Sequence, residues 1–256
     1  MRYAWHHDPV EPPPDPEARG GPADPVPADV RRLWRLVEAP TAPGLSVSSI
    51  VAAAVDLADV DGFAAVTMAR VARRLGNAPM SLYRHVTDKD ELVALMMEAV
   101  SADPPEREPD NSGDGGWRPR LRRWAHALTA LYLAHPWVLQ VPVSTPPLGP
   151  GQLGWLDRGL DALRDTRISN DERMSVALTV LAYVRGQAVL LSQLDAPAPG
   201  AYATALGALV TADRFPALAA LVSGDGPAAP ESSAAEDATA GLELVLDGVA
   251  VLVDRR

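Results

Sequence analysis

The sequence predicts an all-α protein built from two helical units. Three observations lead there. Apolar residues recur at the 3.6-residue period between the chain breaks, and no stretch alternates apolar and polar residues as a half-buried strand would. A polar segment rich in Pro and Gly, Pro104–Gly116, then separates a short N-terminal unit from a longer C-terminal one. With 256 residues, 47% of them hydrophobic, the chain can bury a sizeable core.

The elements follow in chain order. Residues 1–27 are rich in proline and lack apolar periodicity, so disorder is predicted for them. Ala28–Glu38 places Val30, Leu33, Trp34 and Val37 on one face of a short helix, and APTAPG from Ala39 is an extended linker, so 28–44 reads as a helix and linker arm. Residues 45–100 divide into four helices. Ser46–Ala58 turns Val47, Ile50, Val51, Ala54 and Leu57 inward and stops at Asp61-Gly62. Thr67 caps MARVARRL, which ends at Gly76. A tight turn through Asn77-Ala78 leads to a third helix near Pro79, and Thr87 with Asp90, or Asp88 with Glu91, forms a capping box for the fourth. Two short helices joined by a glycine-containing turn and packed on a longer helix make a helix-turn-helix.

The C-terminal unit, 117–256, is helical throughout apart from loops near Asp195–Gly200 and Ser223–Asp237. Leu121, Trp124, Ala125, Leu128, Leu131 and Tyr132 share a stripe that Pro136 terminates. Gly154–Leu163 is a shorter helix. Asp171–Leu194 carries Met174, Ala177, Leu178, Leu181, Val184 and Ala188 on one side, and the last helix aligns Leu242, Val245, Leu246, Val249, Leu252 and Val253. The apolar stripes of Asp171–Leu194 and Ala240–Val253 are the candidate dimer surface, paired as a four-helix bundle.

Composition excludes several classes. The absence of cysteine removes disulfides, thiolate nucleophiles and Cys-based zinc sites, and no nucleophile, acid pair or metal cluster stands out, so no enzyme, cofactor or metal is expected. No apolar run approaches the roughly 18 residues of a membrane span, and the polar N-terminus is not a secretory signal, so a cytoplasmic protein is expected. Gly149–Gly154 formally matches GxGxxG, but without a preceding strand it reads as a plain loop. His126 and His135 lack the spacing of a helical metal pair.

The net charge of −10 opposes nucleic-acid binding, yet the charge is unevenly spread. Between Thr67 and Lys89 there are five basic residues (Arg70, Arg73, Arg74, Arg84, Lys89) and one acid, Asp88. The knot Arg118, Arg120, Arg122 and Arg123 reads instead as a solvated helix face near acidic partners. On the third helix Leu82 and Val86 lie four apart and face the core, with Pro79 nearby. Ser81, Tyr83, Arg84 and His85 project outward, each able to donate a hydrogen bond to phosphates or base edges.

These features carry a resemblance. LSVSSIVAAAVDLADVDGFAAVTMARVARRLGNAPMSLYRHVTDKDEL resembles the DNA-binding domain of the TetR family of bacterial transcriptional repressors from Leu45 to about Val100. WRPRLRRWAHALTALYLAHPWVLQVPVSTPPLGPGQLGWLDRGLDAL is similar to the C-terminal domain of the tetracycline-repressor-like branch. The resemblance implies that Ser81 and Arg84 approach bases, that Tyr83, His85 and Lys89 hold phosphates, and that Thr67 touches the DNA backbone. Pro79 and Met80, at the start of the same helix, complete the DNA-facing set. It also makes Trp137, Leu139, Trp155, Tyr183 and Leu190 either pocket lining or core, and Arg185 and Gln187 either ligand contacts or interface hydrogen bonds. Pro142 stands at the tetracycline repressor's metal-coordinating histidine, which disfavours a magnesium–tetracycline inducer. Two departures stand out: Asn77 occupies a turn position that usually holds a small apolar residue, and the linker before the first family helix lacks basic residues, with Arg31, Arg32 and Arg35 further back as substitutes.

The function expected is therefore a homodimeric, ligand-responsive regulator. It acts as a repressor on double-stranded, palindromic operator DNA and is released by a small-molecule effector. The alternative is a small-molecule-sensing dimer with weak or lost DNA binding.

Overall fold

A computed structural model describes residues 26–39, 44–107, 116–142, 148–193, 201–222 and 234–255, and among these there are helices and turns but no strand. Of residues 1–27, for which disorder is expected, 1–25 lie outside the described residues, while Pro27 is placed as the N-cap residue of α1.

In order, the elements are α1 (Ala28–Val37), α2 (Val47–Asp61), a 3-10 turn Phe63–Ala65, α3 (Met68–Arg74), α4 (Pro79–Leu82) and α5 (Lys89–Val100). There follow α6 (Trp117–Ala134), a 3-10 turn Pro136–Gln140, α7 (Pro150–Asp161), α8 (Asn170–Gln193), α9 (Ala201–Leu209), α10 (Pro216–Val222) and α11 (Ala234–Asp254). Ser46 caps α2 through a reciprocal bond with Ser49, and Gly62, at a φ of 81°, ends it three residues later than Ala58. At the helix-turn-helix bend Gly76 takes a φ of 68°, a conformation that costs a residue with a Cβ about 1–2 kcal/mol.

The cores of the two units are continuous. Ile50, Val71, Leu82, Val86, Leu92 and Met96 are buried in the N-terminal unit and join Leu121, Trp124, Trp137, Leu163, Val180 and Leu246 in one cluster. Three polar joints cross the boundary. Asp59 of α2 receives the Trp137 indole N–H at 2.7 Å and the His135 ring at 2.8 Å, while Trp137 stacks on Phe63 at 6.4 Å. The Trp155 indole donates to the Ser101 carbonyl at 3.2 Å. Glu98, only 2% exposed, accepts from the Gly151 amide at 2.6 Å and the Gln152 side chain at 2.7 Å.

That last joint corrects the reading of the GxGxxG segment as a loop. Gly149 is the N-cap residue of α7, Pro150 opens the helix, and Gly151–Gly154 lie within it. Proline suits the first helical position because its missing N–H would be unpaired there. The glycines make room for the Glu98 carboxylate, which satisfies one of the helix's free amides.

α8 corrects two further readings. It is long and apolar enough to cross a membrane by length and composition, contrary to the sequence expectation, and its most apolar stretch is 28% buried within the chain. Val176, Ala177, Val180, Val184 and Ala188 face the core, whereas Met174 and Leu178 lie on the opposite, exposed side. The helix is apolar all round, so the 3.6 period alone does not choose its inner face. On α11, Leu242, Leu246 and Val249 are buried and Leu244 and Val251 exposed.

Three arginines of the α6 knot are paired with acids. Arg118 reaches Glu243 at 2.7 Å and Asp247 at 2.6 Å, Arg122 reaches Glu243 at 2.6 Å, and Arg120 reaches Asp165 at 2.8 Å. Hydrogen bonds from Arg122 and Arg118 lower the Glu243 carboxyl from 4.5 to about 2. A carboxylate depressed on folding stabilises above its unfolded value and loses that contribution as the pH falls through the folded value. Glu243→Gln is therefore expected to flatten the loss of thermal stability between pH 4.5 and about 2, read by circular dichroism melts across that range.

Candidate nucleic-acid interface

The outward face of the helix-turn-helix is built by short-range geometry. Thr67 caps α3 by accepting the Arg70 amide at 3.2 Å, which leaves its exposed backbone at the start of that helix. Asn77 donates its side-chain amide to the Leu75 carbonyl at 2.8 Å and closes the turn. α4 is shorter than the sequence suggested: it ends at Leu82, and Tyr83, Arg84 and His85 form a turn that keeps helical spacing through Val86 N–H to Leu82 O at 3.0 Å. Leu82 and Val86 are both fully buried and hold this segment down.

Above that anchor Pro79, Met80, Tyr83 and Arg84 are exposed, and Ser81 and His85 half-buried. His85 is engaged through its backbone, donating to Leu82 O at 2.8 Å and accepting from Arg32 at 3.4 Å. Lys89 is exposed at the first turn of α5, its ammonium 5.2 Å from the centre of the Phe63 ring. That cation–π contact aims a charge which the helix dipole does not favour at this end.

The charge pattern differs from the sequence count. Arg70 pairs with Asp61 at 2.6 Å and Arg74 with Asp56 at 3.4 Å, both acids coming from α2. Arg32 is held by Glu91 and so does not replace the missing basic arm. Among the described residues Arg73, Arg84 and Lys89 form no ion pair, and they are the cations this face offers to phosphates and bases.

A buried pair of apolar side chains carrying an exposed Tyr-Arg row, behind a capped helix and a left-handed glycine turn, is the working end of a DNA-reading helix-turn-helix. Residues 50–96 match the family described as bacterial regulatory proteins, tetR family, and residues 108–253 match the tetracyclin repressor-like C-terminal domain. The chain belongs to the TetR family. It is 35% identical over 226 residues to the HTH-type transcriptional repressor DrrR1 of Streptomyces coeruleorubidus, covering 84% of this chain and 80% of that protein. It is 32% identical over 146 residues to an HTH-type transcriptional regulator of Saccharopolyspora erythraea, covering 57% of this chain and 61% of that one. In structure it resembles the TetR family protein ActR of Streptomyces coelicolor in complex with actinorhodin, with a TM-score of 0.68 and 26% identity over 83% of this chain and 98% of that one. The protein is thus a DNA-binding transcriptional regulator.

In this TetR-family chain the sequence-selected ligand residues do not converge. Trp155 lines an open cleft of about 420 Å³ between α5, α6 and α7, together with Val100, Asp103, Leu131 and His135. The others do not line that cleft. Trp137 is buried on Asp59, Leu139 offers its carbonyl to Arg185 at 3.1 Å, and Arg185 also sits 6.0 Å from the Tyr132 ring centre. Tyr183 donates to the Ala238 carbonyl at 2.8 Å with Gln187 beside its hydroxyl, and Leu190 is exposed on α8. Burial raises the Tyr132 phenol above its ordinary range, with Arg185 working against that rise, so the pair is a packed contact of α6 with α8.

Sequence reasoning missed the acids that organise these joints. Glu98 was visible in principle: it sits at the buried register of α5, three positions after Leu95. Glu91 is legible as a capping acid at the start of α5 but not as a partner for Arg32, and Asp59, exposed on α2, carries no signal of its bonds to Trp137 and His135.

Proposed function

We propose that this TetR-family regulator is a repressor that binds a palindromic operator as a homodimer and leaves it when a small molecule enters the ligand domain. The observation that carries the reading is the row Tyr83-Arg84 with Lys89: exposed donors on a segment whose inner side is locked by Leu82 and Val86. Arg84 is assigned to a base edge, where a guanidinium pairs bidentately with guanine, and Ser81 stands beside it. Tyr83, His85, Lys89 and Thr67 are assigned to phosphates, with Pro79 and Met80 flanking the groove. The likeness to the repressor DrrR1 supports repression, and that to ActR bound to actinorhodin supports an organic effector.

Dimerisation is supported by the exposed side of α8, where Leu178 is 49% and Leu190 52% exposed, beside Leu244 at 73% and Val251 at 52% on α11. Two subunits paired there place their reading helices in successive major grooves about 34–36 Å apart. An effector then acts by favouring a conformer with a different spacing.

Selection of duplexes from a random pool at low and physiological salt tests the reading. A palindromic consensus is expected, and Arg84→Ala should weaken binding by about 1–3 kcal/mol while relaxing selectivity at one position per half-site. The pairing of Arg70, Arg74 and Arg32 with acids favours one other reading, a small-molecule sensor with little DNA affinity, for which the wild-type protein enriches no sequence at either salt.

A further inference from the structure

α1 lies outside both matched family segments, 50–96 and 108–253, and two of its central residues, Arg32 and Trp34, bond to different parts of the chain. Asp29 in its first turn and Arg35 in its last complement the helix dipole, and Leu33 and Leu36 pack on the core. From its middle, Arg32 forms an ion pair with Glu91 in the first turn of α5 and donates to the His85 carbonyl at 3.4 Å, at the end of the reading segment. Glu91 in turn accepts the Thr87 amide at 2.6 Å, so one carboxylate gathers the exit of the reading turn, the start of α5 and α1. Burial alone would raise the Glu91 carboxyl, but Arg32 and Thr87 more than offset it and hold it below its ordinary value.

Two residues further on, the Trp34 indole N–H donates to the Leu148 carbonyl at 2.8 Å. Leu148 immediately precedes Gly149, the N-cap residue of α7, where Glu98 of α5 takes hold of Gly151 and Gln152. The entrance to α7 is therefore gripped twice from the N-terminal side, once by α5 and once by α1.

We propose that α1 is a clasp between the ligand domain and the reading segment: Trp34 senses the position of the α7 entrance, and Arg32 is a positioning residue that sets the Tyr83–His85 turn for DNA. The proposal rests on the DNA-binding reading above. Displacement of α7 moves Leu148, and α1 passes that displacement to His85 and Glu91 as a rigid helix of 10 residues. Arg32 contributes geometry and not phosphate affinity, since its guanidinium is already occupied by Glu91.

Arg32→Met and Trp34→Phe in the full-length chain test this, each keeping most of the apolar packing while removing the donor. The first probe is a duplex selected from the random pool by the wild-type protein, compared with an unrelated duplex of equal length. Both variants are expected to lower the ratio of selected to unrelated affinity by about fivefold with an unchanged salt slope. Hydrogen exchange at the amides of 85–91 should quicken in both, including Trp34→Phe, whose lost bond is to Leu148 and not to the reading segment. An unchanged ratio, or a salt slope shallower by about one for Arg32→Met, would overturn the positioning role. Unchanged exchange at 85–91 in Trp34→Phe would overturn the clasp. If the wild-type protein selects no duplex, the DNA-binding reading fails by itself, and the exchange measurement still decides whether α1 links the two sites.

Discussion

Ala182→Glu combined with Leu244→Glu is expected to yield a folded monomer whose affinity for a palindromic duplex is about a thousandfold weaker. Ala182 lies in the middle of the exposed side of α8, between Leu178 and Gly186, and Leu244 on the exposed side of α11. Neither side chain enters the protomer core, so the substitutions charge the outer surface without creating a cavity. Two carboxylates per subunit buried against their twofold copies cost far more than a contact of this size returns. The binding loss follows because a single reading segment engages one half-site only. Light scattering with a circular dichroism melt checks the first part, and titration of the selected duplex checks the second. A dimer of wild-type stability would place the interface elsewhere. Truncating α11 is a poorer test: it removes Leu242, Leu246 and Val249, which are buried within the chain, and so dismantles the C-terminal unit itself.

Gly151→Ala is expected to destabilise the protein by about 3 kcal/mol, with Gly149→Ala close behind. A Cβ at 151 lies 2.9 Å from the Ser101 carbonyl oxygen and 3.0 Å from a Glu98 carboxylate oxygen. The first of these is backbone and cannot swing away, so α7 must retreat from α5. A Cβ at 149 falls instead on the Glu98 carboxylate and pushes it off the Gly151 amide, leaving a buried charge without its partners. The two glycines thus fail for different reasons, and a double-mutant cycle separates them. Glu98→Ala should relieve most of the Gly149→Ala penalty but little of the Gly151→Ala penalty, read from urea unfolding. Equal losses for Gly149→Ala with and without Glu98 would mean the carboxylate is not what the glycine accommodates.

Much of the DNA-reading unit was legible because its signals are local. Ser46, Thr67 and Asp88 each cap a helix through a bond to a residue three positions on, Gly76 supplies a positive φ, and Leu82 with Val86 share a face at a spacing of four. The length of α4 was overestimated because a helix that stops at Leu82 and a turn that continues the spacing to Val86 give the same sequence pattern. The ligand set was less legible. Trp137, Tyr183 and Arg185 look equally suited to a pocket or to a core, and each is used to bind another part of the chain.

By itself, the sequence determined that this protein is all-α, where most of its helices begin, and where its helix-turn-helix lies, since caps, turns and periodicity act within a few residues. Only the tertiary structure decided which charges remain free and which apolar sides remain open. Arg70, Arg74, Arg32 and Arg122 look alike on paper to Arg84, but acids at Asp61, Asp56, Glu91 and Glu243 reach the first four and not the last. The side of α8 that carries Leu178 is as apolar as the side that carries Val180, and only packing against α6, α7 and α11 shows which is covered. Ion pairing and burial depend on distance in space, and distance in space between remote segments is what a one-dimensional pattern does not contain.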